Sequence, residues 1–434
     1  MLTSILNLLN PYVLGALASV VVLGLIANRY GALGLLILSA PIHRLFINIG
    51  FALKPFYVVI AVIIIMNIWK NRGIPLTITT NRYFQLVFFF LLSVLVSAIA
   101  NGIPIISLRH IIVFLFVFSG CYLLYGKIRS RDDIHRLVNI YLFTGLVLGL
   151  SGVMFYAIYF VSPESVVLGS ILEGVAYDPE HSWVLPQLQS VDVGSNGYAV
   201  SLLPFMFVAI GSALAPGTRR KKFYALLTFA LLLVNLILTF SRGGMISFLV
   251  ATAVMIFFVR GHPLLKWGGG LVAVVLPVVF FPRVVEIYEA YSFLKGSYSG
   301  DVGSLLSSRD QLIWSSLNVF LEHPLFGVGQ GLITEEQFVG KQAHNTYLEM
   351  LAENGIITFS IFMVLLWFLF RRIIYLYRST NSPEMYYTFL SFTFAMVALL
   401  IAAIPTSTIT LPLIWIQFTV IVAMSRAVKS VDCH

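Results

Sequence analysis

His344 stands between Ala343 and Asn345 at the head of a long apolar run, followed by Tyr347, Leu348, Glu349 and Glu353. The chain holds only 8 histidines, and 10% of its residues are charged, so a histidine at that edge asks for a chemical reason. A neutral imidazole near pH 7 can take a proton from an attacking hydroxyl. The competing reading is a helix cap or a surface residue, and spacing leaves both open. Asn345 and Glu349 are four apart and share a helix face that Glu353 continues. A carboxylate there could orient the imidazole or bind sugar hydroxyls. A zinc site is not indicated, because no second histidine stands at a ligand spacing from His344, although His181 and His323 fall on the same side.

Two arginines offer a different chemistry. Arg242 lies in the turn Ser241-Arg242-Gly243-Gly244, directly between two apolar runs. An arginine so deep is expensive unless paired or used. Its guanidinium fork matches phosphate oxygens, and Gly243 and Gly244 would let a ligand approach the backbone. The alternative is an arginine that snorkels to the interface or pairs with Asp192 or Glu349. Arg309 lies at the start of an amphipathic segment, 308–322, where free N–H groups favour an anion; otherwise it is a solvated loop residue. Two arginines facing one cavity suit a diphosphate. The segment 190–198, with Asp192 and Asn196, either lines the same cavity or caps a helix. Arg109 with His110, and Arg283, border other runs and each serves a ligand or a lipid headgroup.

The elements that position these residues are membrane helices. Hydrophobic residues make up 59% of the 434 residues and mean hydropathy is +0.94, whereas soluble domains carry roughly 25% charged residues. Apolar runs near the length of a bilayer crossing recur at 12–27, 30–48, 53–69, 83–100, 105–125, 138–161, 197–215, 223–240, 245–259, 267–284, 346–370, 385–403 and 408–425. Helices fit such runs, which predicts an all-α polytopic membrane protein of about 12 to 13 transmembrane helices with one partly helical external loop. Residues 1–10 lack a basic start and no cleavage site follows the first run, so the first helix is expected to remain. The expected organisation is 1–189 as N-terminal helices, 190–370 as a core that includes the loop 285–345, and 371–434 as C-terminal helices.

Lysines and arginines cluster on alternate loops, which the positive-inside bias assigns to the cytoplasm together with the C-terminus. The segments 101–109, 162–196, 241–244, 285–345 and 404–407 then lie outside. The side of the N-terminus depends on whether the first two runs are counted separately. The net charge of +9 is mostly this bias, and no basic patch interleaved with aromatics suggests nucleic acid. Two cysteines, Cys121 in a span and Cys433 near the end, are too few for a disulfide framework. The insert 285–345 is too long for an idle connection. Its amphipathic helix would lie across the outer membrane face and end at His323 and Pro324, with Gly327, Gly329 and Gly331 forming a mobile turn.

Taken in order, Asn196 with Ala199, the turn 241–244, Arg309 with Trp314, the run from His323 to Gly329, and Ala343-His344-Asn345 with Leu348, Glu353 and Gly355 resemble the bacterial O-antigen ligases and O-antigen polymerases. The detailed likeness covers 190–370, and the N-terminal half is similar only in its succession of spans. The resemblance implies transfer of a glycan from undecaprenyl diphosphate to an acceptor at the periplasmic face of the bacterial inner membrane, with no metal or other cofactor. The acceptor is the end of another lipid-linked repeat for a polymerase and the lipid A core for a ligase. It also implies that Arg242 and Arg309 hold the diphosphate and that His344 helps to activate the acceptor hydroxyl. Around them Asn196, Ser241, Gly243, Asn345, Glu349 and Arg109 complete the expected substrate-binding set. The lack of a dense external basic patch for a phosphorylated core tilts the reading toward polymerase. The rival class is a lipid-linked glycan transporter, which calls for broken helices near the midplane; here the unusual residues gather at one face.

Overall fold

In hydrocarbon a chain must satisfy its own backbone, so apolar runs of this length become helices. A computed structural model describes residues 29–41, 47–48, 52–53, 55–69, 81–161, 188, 194–259, 302–335, 337–340 and 342–429. Among the described residues there are twelve α-helices and one pair of two-residue antiparallel strands, Ile47–Asn48 with Ala52–Leu53. The helices are α1 (Arg29–Ser39), α2 (Pro55–Trp69), α3 (Arg82–Ala100), α4 (Ile105–Lys127), α5 (Arg131–Val161), α6 (Gly194–Leu214), α7 (Arg219–Leu238), α8 (Arg242–Phe258), α9 (Val302–Glu322), α10 (Thr346–Arg378), α11 (Pro383–Ala402) and α12 (Pro412–Lys429). Seven of them, α3 to α7, α10 and α11, are long and apolar enough to cross a membrane, and α1, α2, α8 and α12 are shorter apolar helices. The expected all-α polytopic fold is borne out. The expected runs 12–27 and 267–284 lie outside the described residues.

Burial separates the centre of the bundle from its lipid-facing rim. In α6 and α11 the apolar stretch is 83% buried, against 28% in α7 and α10. The two buried helices pack against each other, with α7 and α8 outside them. A second knot is aromatic. Trp415 of α12 is fully buried among Phe90, Phe118, Phe362 and Phe418, and its indole N–H donates to the Ile409 carbonyl at 2.7 Å. A buried indole needs such a partner, and this bond fixes the start of α12.

The basic clusters of several connections meet at one end. Arg426 donates to the carbonyls of Tyr125 and Ile128 at 2.5 and 2.6 Å, Lys221 reaches Glu384 at 3.1 Å, and Tyr30 donates to Asp133 at 3.2 Å. These contacts gather the start of α1, the α4–α5 connection, the start of α7 and α11, and the end of α12. The connections after α3, α7, α9 and α11 therefore meet at the opposite end. Arg242, His344 and their described neighbours lie there.

Two elements differ from expectation. The amphipathic helix begins at Val302, earlier than the expected 308. The run 346–370 is no continuous helix, because Gly355 (φ 73°, ψ −179°) breaks α10 nine residues after its start.

Candidate active site

The site starts with the turn between α7 and α8. Ser241 caps α8, its hydroxyl oxygen accepting from the Gly244 N–H at 3.1 Å while its hydroxyl proton goes to the Asn196 side-chain oxygen at 2.7 Å. An N-cap serine is worth about 1 kcal/mol, and this one also ties α8 to the first turn of α6. The close neighbours that need glycine here are protein atoms. A Cβ on Gly244 would meet the Ala199 methyl at 2.5 Å, and one on Gly243 would meet Pro405 at 3.0 Å. Arg242 is the first residue of α8 and half-buried, so its guanidinium sits at a helix N-terminus, where an anion is favoured.

The second turn holds His344. Its backbone is left-handed, with φ 51°, and its side chain is exposed. Non-glycine residues pay about 1 kcal/mol or more for that conformation, so something must hold it. Glu349, 6% exposed, lies beneath it: its carboxyl sits against the backbone N–H groups of Ala343 and His344 and accepts the hydroxyl of Ser407. Asn345 caps α10, its side-chain oxygen accepting from Tyr347 and Leu348 N–H at 3.1 and 3.2 Å.

A short loop, 403–411, joins the two turns. The Thr346 N–H donates to the Ala403 carbonyl at 2.9 Å, and the Thr346 hydroxyl to the Thr406 carbonyl at 2.7 Å. Pro405 of the same loop covers Gly243. The Arg242 turn and the His344 turn thus both pack against one short segment, which the sequence alone presents only as an external connection. Its signal was present as Pro405-Thr406-Ser407-Thr408, a polar island between two apolar runs.

Behind the His344 turn lies a polar cavity of about 160 Å³, lined by His110, Gln330, Gln342, Glu349, Glu353 and Ser407 among others. Glu353 is buried, accepts from Gln330 at 2.5 Å and lies against the backbone N–H groups of Gly331 and Ile333. A buried carboxylate is tolerable only with such a full set of donors. Gln330 in turn accepts from Asn354 at 2.8 Å, and the ring Nδ1–H of His110 donates to the Ile106 carbonyl at 3.0 Å.

The run from His323 to Gly331 is a packed crossing of α10, not the expected mobile turn. Val328 and Gly329 donate to the carbonyls of Ala352 and Glu353 at 3.0 and 2.7 Å, and Ile356 donates back to Pro324 at 2.9 Å. A side chain on Gly327 would strike the Glu353 backbone, and one on Gly355 the Leu325 carbonyl. Glycine's left-handed freedom is used for contact and not for motion. Ser97 and Asn101 at the end of α3 bind the Phe326 and Gly327 carbonyls at 2.5 and 3.1 Å. The sequence reading missed them, because serine and asparagine at a helix end read as caps. Val319 of α9 packs with Val328, Leu332, Ile333 and Ala343, so the amphipathic helix is fixed to the same body.

The structure therefore brings together Asn196, Ser241, Arg242 and Gly243 on one side of the 403–411 loop and Ala343, His344, Asn345 and Glu349 on the other. Arg109 is exposed on α4, and the cavity takes its neighbour His110 instead. The backbone of α9 runs through Arg309, whose side chain lies outside the described residues, as do Asp192, His181, Arg283 and Cys433.

Residues 227–363 match the family model of the O-antigen ligases. The matched stretch runs from within α7 into α10 and contains both Arg242 and His344. It bears out the resemblance read from the short motifs. Comparison with curated proteins finds no match. The matched segment does not build its surroundings alone: α3, α4 and α6 lie before it and the 403–411 loop after it.

Proposed function

We propose that the chain is a membrane glycosyltransferase of the O-antigen ligase and polymerase type, moving a glycan from undecaprenyl diphosphate to an acceptor hydroxyl at the periplasmic face of the inner membrane. The observation that carries the reading is the 403–411 loop, which holds an arginine at a helix N-terminus and a histidine turn against the same segment. The core of the enzyme is 190–370, with the C-terminus in the cytoplasm.

The C–O bond between the anomeric carbon and the diphosphate breaks, so negative charge grows on the leaving oxygens. Arg242 and Arg309 neutralise it, and a site at the membrane edge makes fixed charges worth more than in water. The acceptor oxygen attacks from the opposite face while His344 takes its proton, giving inversion. Ser241, Asn196 and Gly243 shape the diphosphate side, and Asn345 and Glu349 the acceptor side. The lipid tail remains in the bilayer. Among the two acceptors, a lipid-linked repeat is favoured, because the sequence offers no dense basic patch for a phosphorylated core among the segments expected outside.

A carrier of lipid-linked glycans would use a helix broken near the midplane. The break at Gly355 instead lies at the site end of α10 and is filled by the 324–329 segment. The test replaces Arg242, Arg309 and His344 by alanine, one at a time, in cells that keep normal membrane levels of the protein. Loss of the surface-polysaccharide ladder for each variant is the expected result; three unchanged ladders would sink the enzyme reading.

A further inference from the structure

A buried carboxylate that takes two consecutive backbone N–H groups does for the chain what a bound anion does in an anion-binding nest. Glu349 occupies that position beneath His344. The backbone of His344 directly above it is left-handed, with φ 51°. The third partner, the Ser407 hydroxyl, belongs to the loop whose Pro405 covers Gly243. A continuous chain of contacts thus runs from the backbone of His344 through Glu349 and Ser407 to the turn of Arg242.

We propose that Glu349 and Ser407 form a positioning bracket that fixes the His344 imidazole relative to the diphosphate site, with Glu349 spent on the protein backbone and not on the acceptor. The inference rests on the reading of His344 as the residue that activates the acceptor. The Ala343–His344 backbone and the Ser407 hydroxyl crowd the Glu349 carboxyl, which leaves it little room for a sugar hydroxyl. A carboxylate has about four lone-pair sites. Without it the His344 turn has no counterpart to its left-handed backbone, and the ring relaxes away. Misplacement of a catalytic group by about 1 Å can cost on the order of 100-fold in rate.

Glu349→Gln keeps one accepting oxygen but turns an NH₂ toward donors, and Ser407→Ala removes a single hydroxyl. The experiment measures kcat and acceptor KM with purified protein in lipid for both variants, for His344→Ala, and for each double variant. The bracket predicts a kcat about 10- to 100-fold lower in Glu349→Gln and about 3- to 10-fold lower in Ser407→Ala, with acceptor KM within about 2-fold of wild type. Each double variant should be no slower than His344→Ala, because groups that act through one another are not additive. Normal kcat in both single variants, a raised acceptor KM at unchanged kcat, or a full multiplicative loss on top of His344→Ala would each overturn the proposal. Should Glu349→Gln fail to reach the membrane folded, the Ser407→Ala cycle carries the same decision. A wild-type rate in His344→Ala removes the role of His344 and this proposal with it, whereas a crippled His344→Ala beside normal Glu349→Gln and Ser407→Ala removes this proposal alone.

Discussion

At the scale of residues, the site depends on two side chains that follow strained backbone. Phe240, with φ 50°, precedes the Ser241-Arg242 turn, and His344 is itself left-handed. Strain of this kind persists only where neighbours over-determine it, and here Asn196, Glu349 and Ser407 do so. Arg242→Ala should lower kcat by about 100- to 1,000-fold, the usual cost of losing one preorganised charge-stabilising donor. Arg242→Lys should recover only part of that rate, since an ammonium keeps the charge but not the planar fork. Both are read from initial rates on a lipid-diphosphate donor. Asn345→Ala should cost about 1 kcal/mol of stability through loss of the α10 cap, and Asn345→Asp should retain most of it; thermal melts in detergent separate the two. The types of these residues were legible in the sequence, because arginine and histidine are conspicuous at the edges of apolar runs. The roles of Asn345, Gly243 and Gly244 were not: cap, cover and helix packing depend on Leu348, Pro405 and Ala199.

At the scale of elements, the decisive feature is the crossing of the 324–329 segment over α10. Gly355, at φ 73° and ψ −179°, occupies a region open essentially only to glycine. Gly355→Ala should therefore destabilise the protein by about 2 kcal/mol or more and abolish transfer, seen as a lower melting temperature and a lower membrane level. Gly244→Ala tests the α6–α8 contact more gently. Its added methyl meets the Ala199 side chain, so the reciprocal change Ala199→Gly should restore stability in the double variant, and a double variant weaker than both singles would contradict this packing. Helices were readable from apolar run length, since hydrocarbon leaves the backbone no other partner. The break in α10 was not, because it is imposed by the Leu325 carbonyl thirty residues upstream, and a lone glycine in an apolar run is ordinarily tolerated. The same limit turned Gly327, Gly329 and Gly331 into an expected loose turn, where the structure has tight contact.

At the scale of the whole molecule, the basic clusters around Arg426 and Lys221 gather at one end of the bundle and the site, with Arg242, at the other. The proposed orientation makes a direct prediction in a Cys433→Ser background, where Cys121 remains buried. A cysteine at the exposed Thr334 should react with a membrane-impermeant maleimide added from the periplasmic side, and one at the exposed Asn381 only after permeabilisation; the reverse pattern inverts the topology. Most of the alternation was legible from lysine and arginine placement. What the sequence could not show is that α3, α4 and the 403–411 loop close around the same site, since these contacts join positions up to 256 residues apart. The most direct measurement of the central claim is a transfer assay with purified protein in lipid, given an undecaprenyl-diphosphate-linked repeat with and without a lipid A core acceptor. Wild-type protein should lengthen the lipid-linked chain without the core, and Arg242→Ala and His344→Ala should each slow that reaction at least about 100-fold. No glycan transfer by the wild type to either acceptor, or undiminished transfer by both variants, would contradict it.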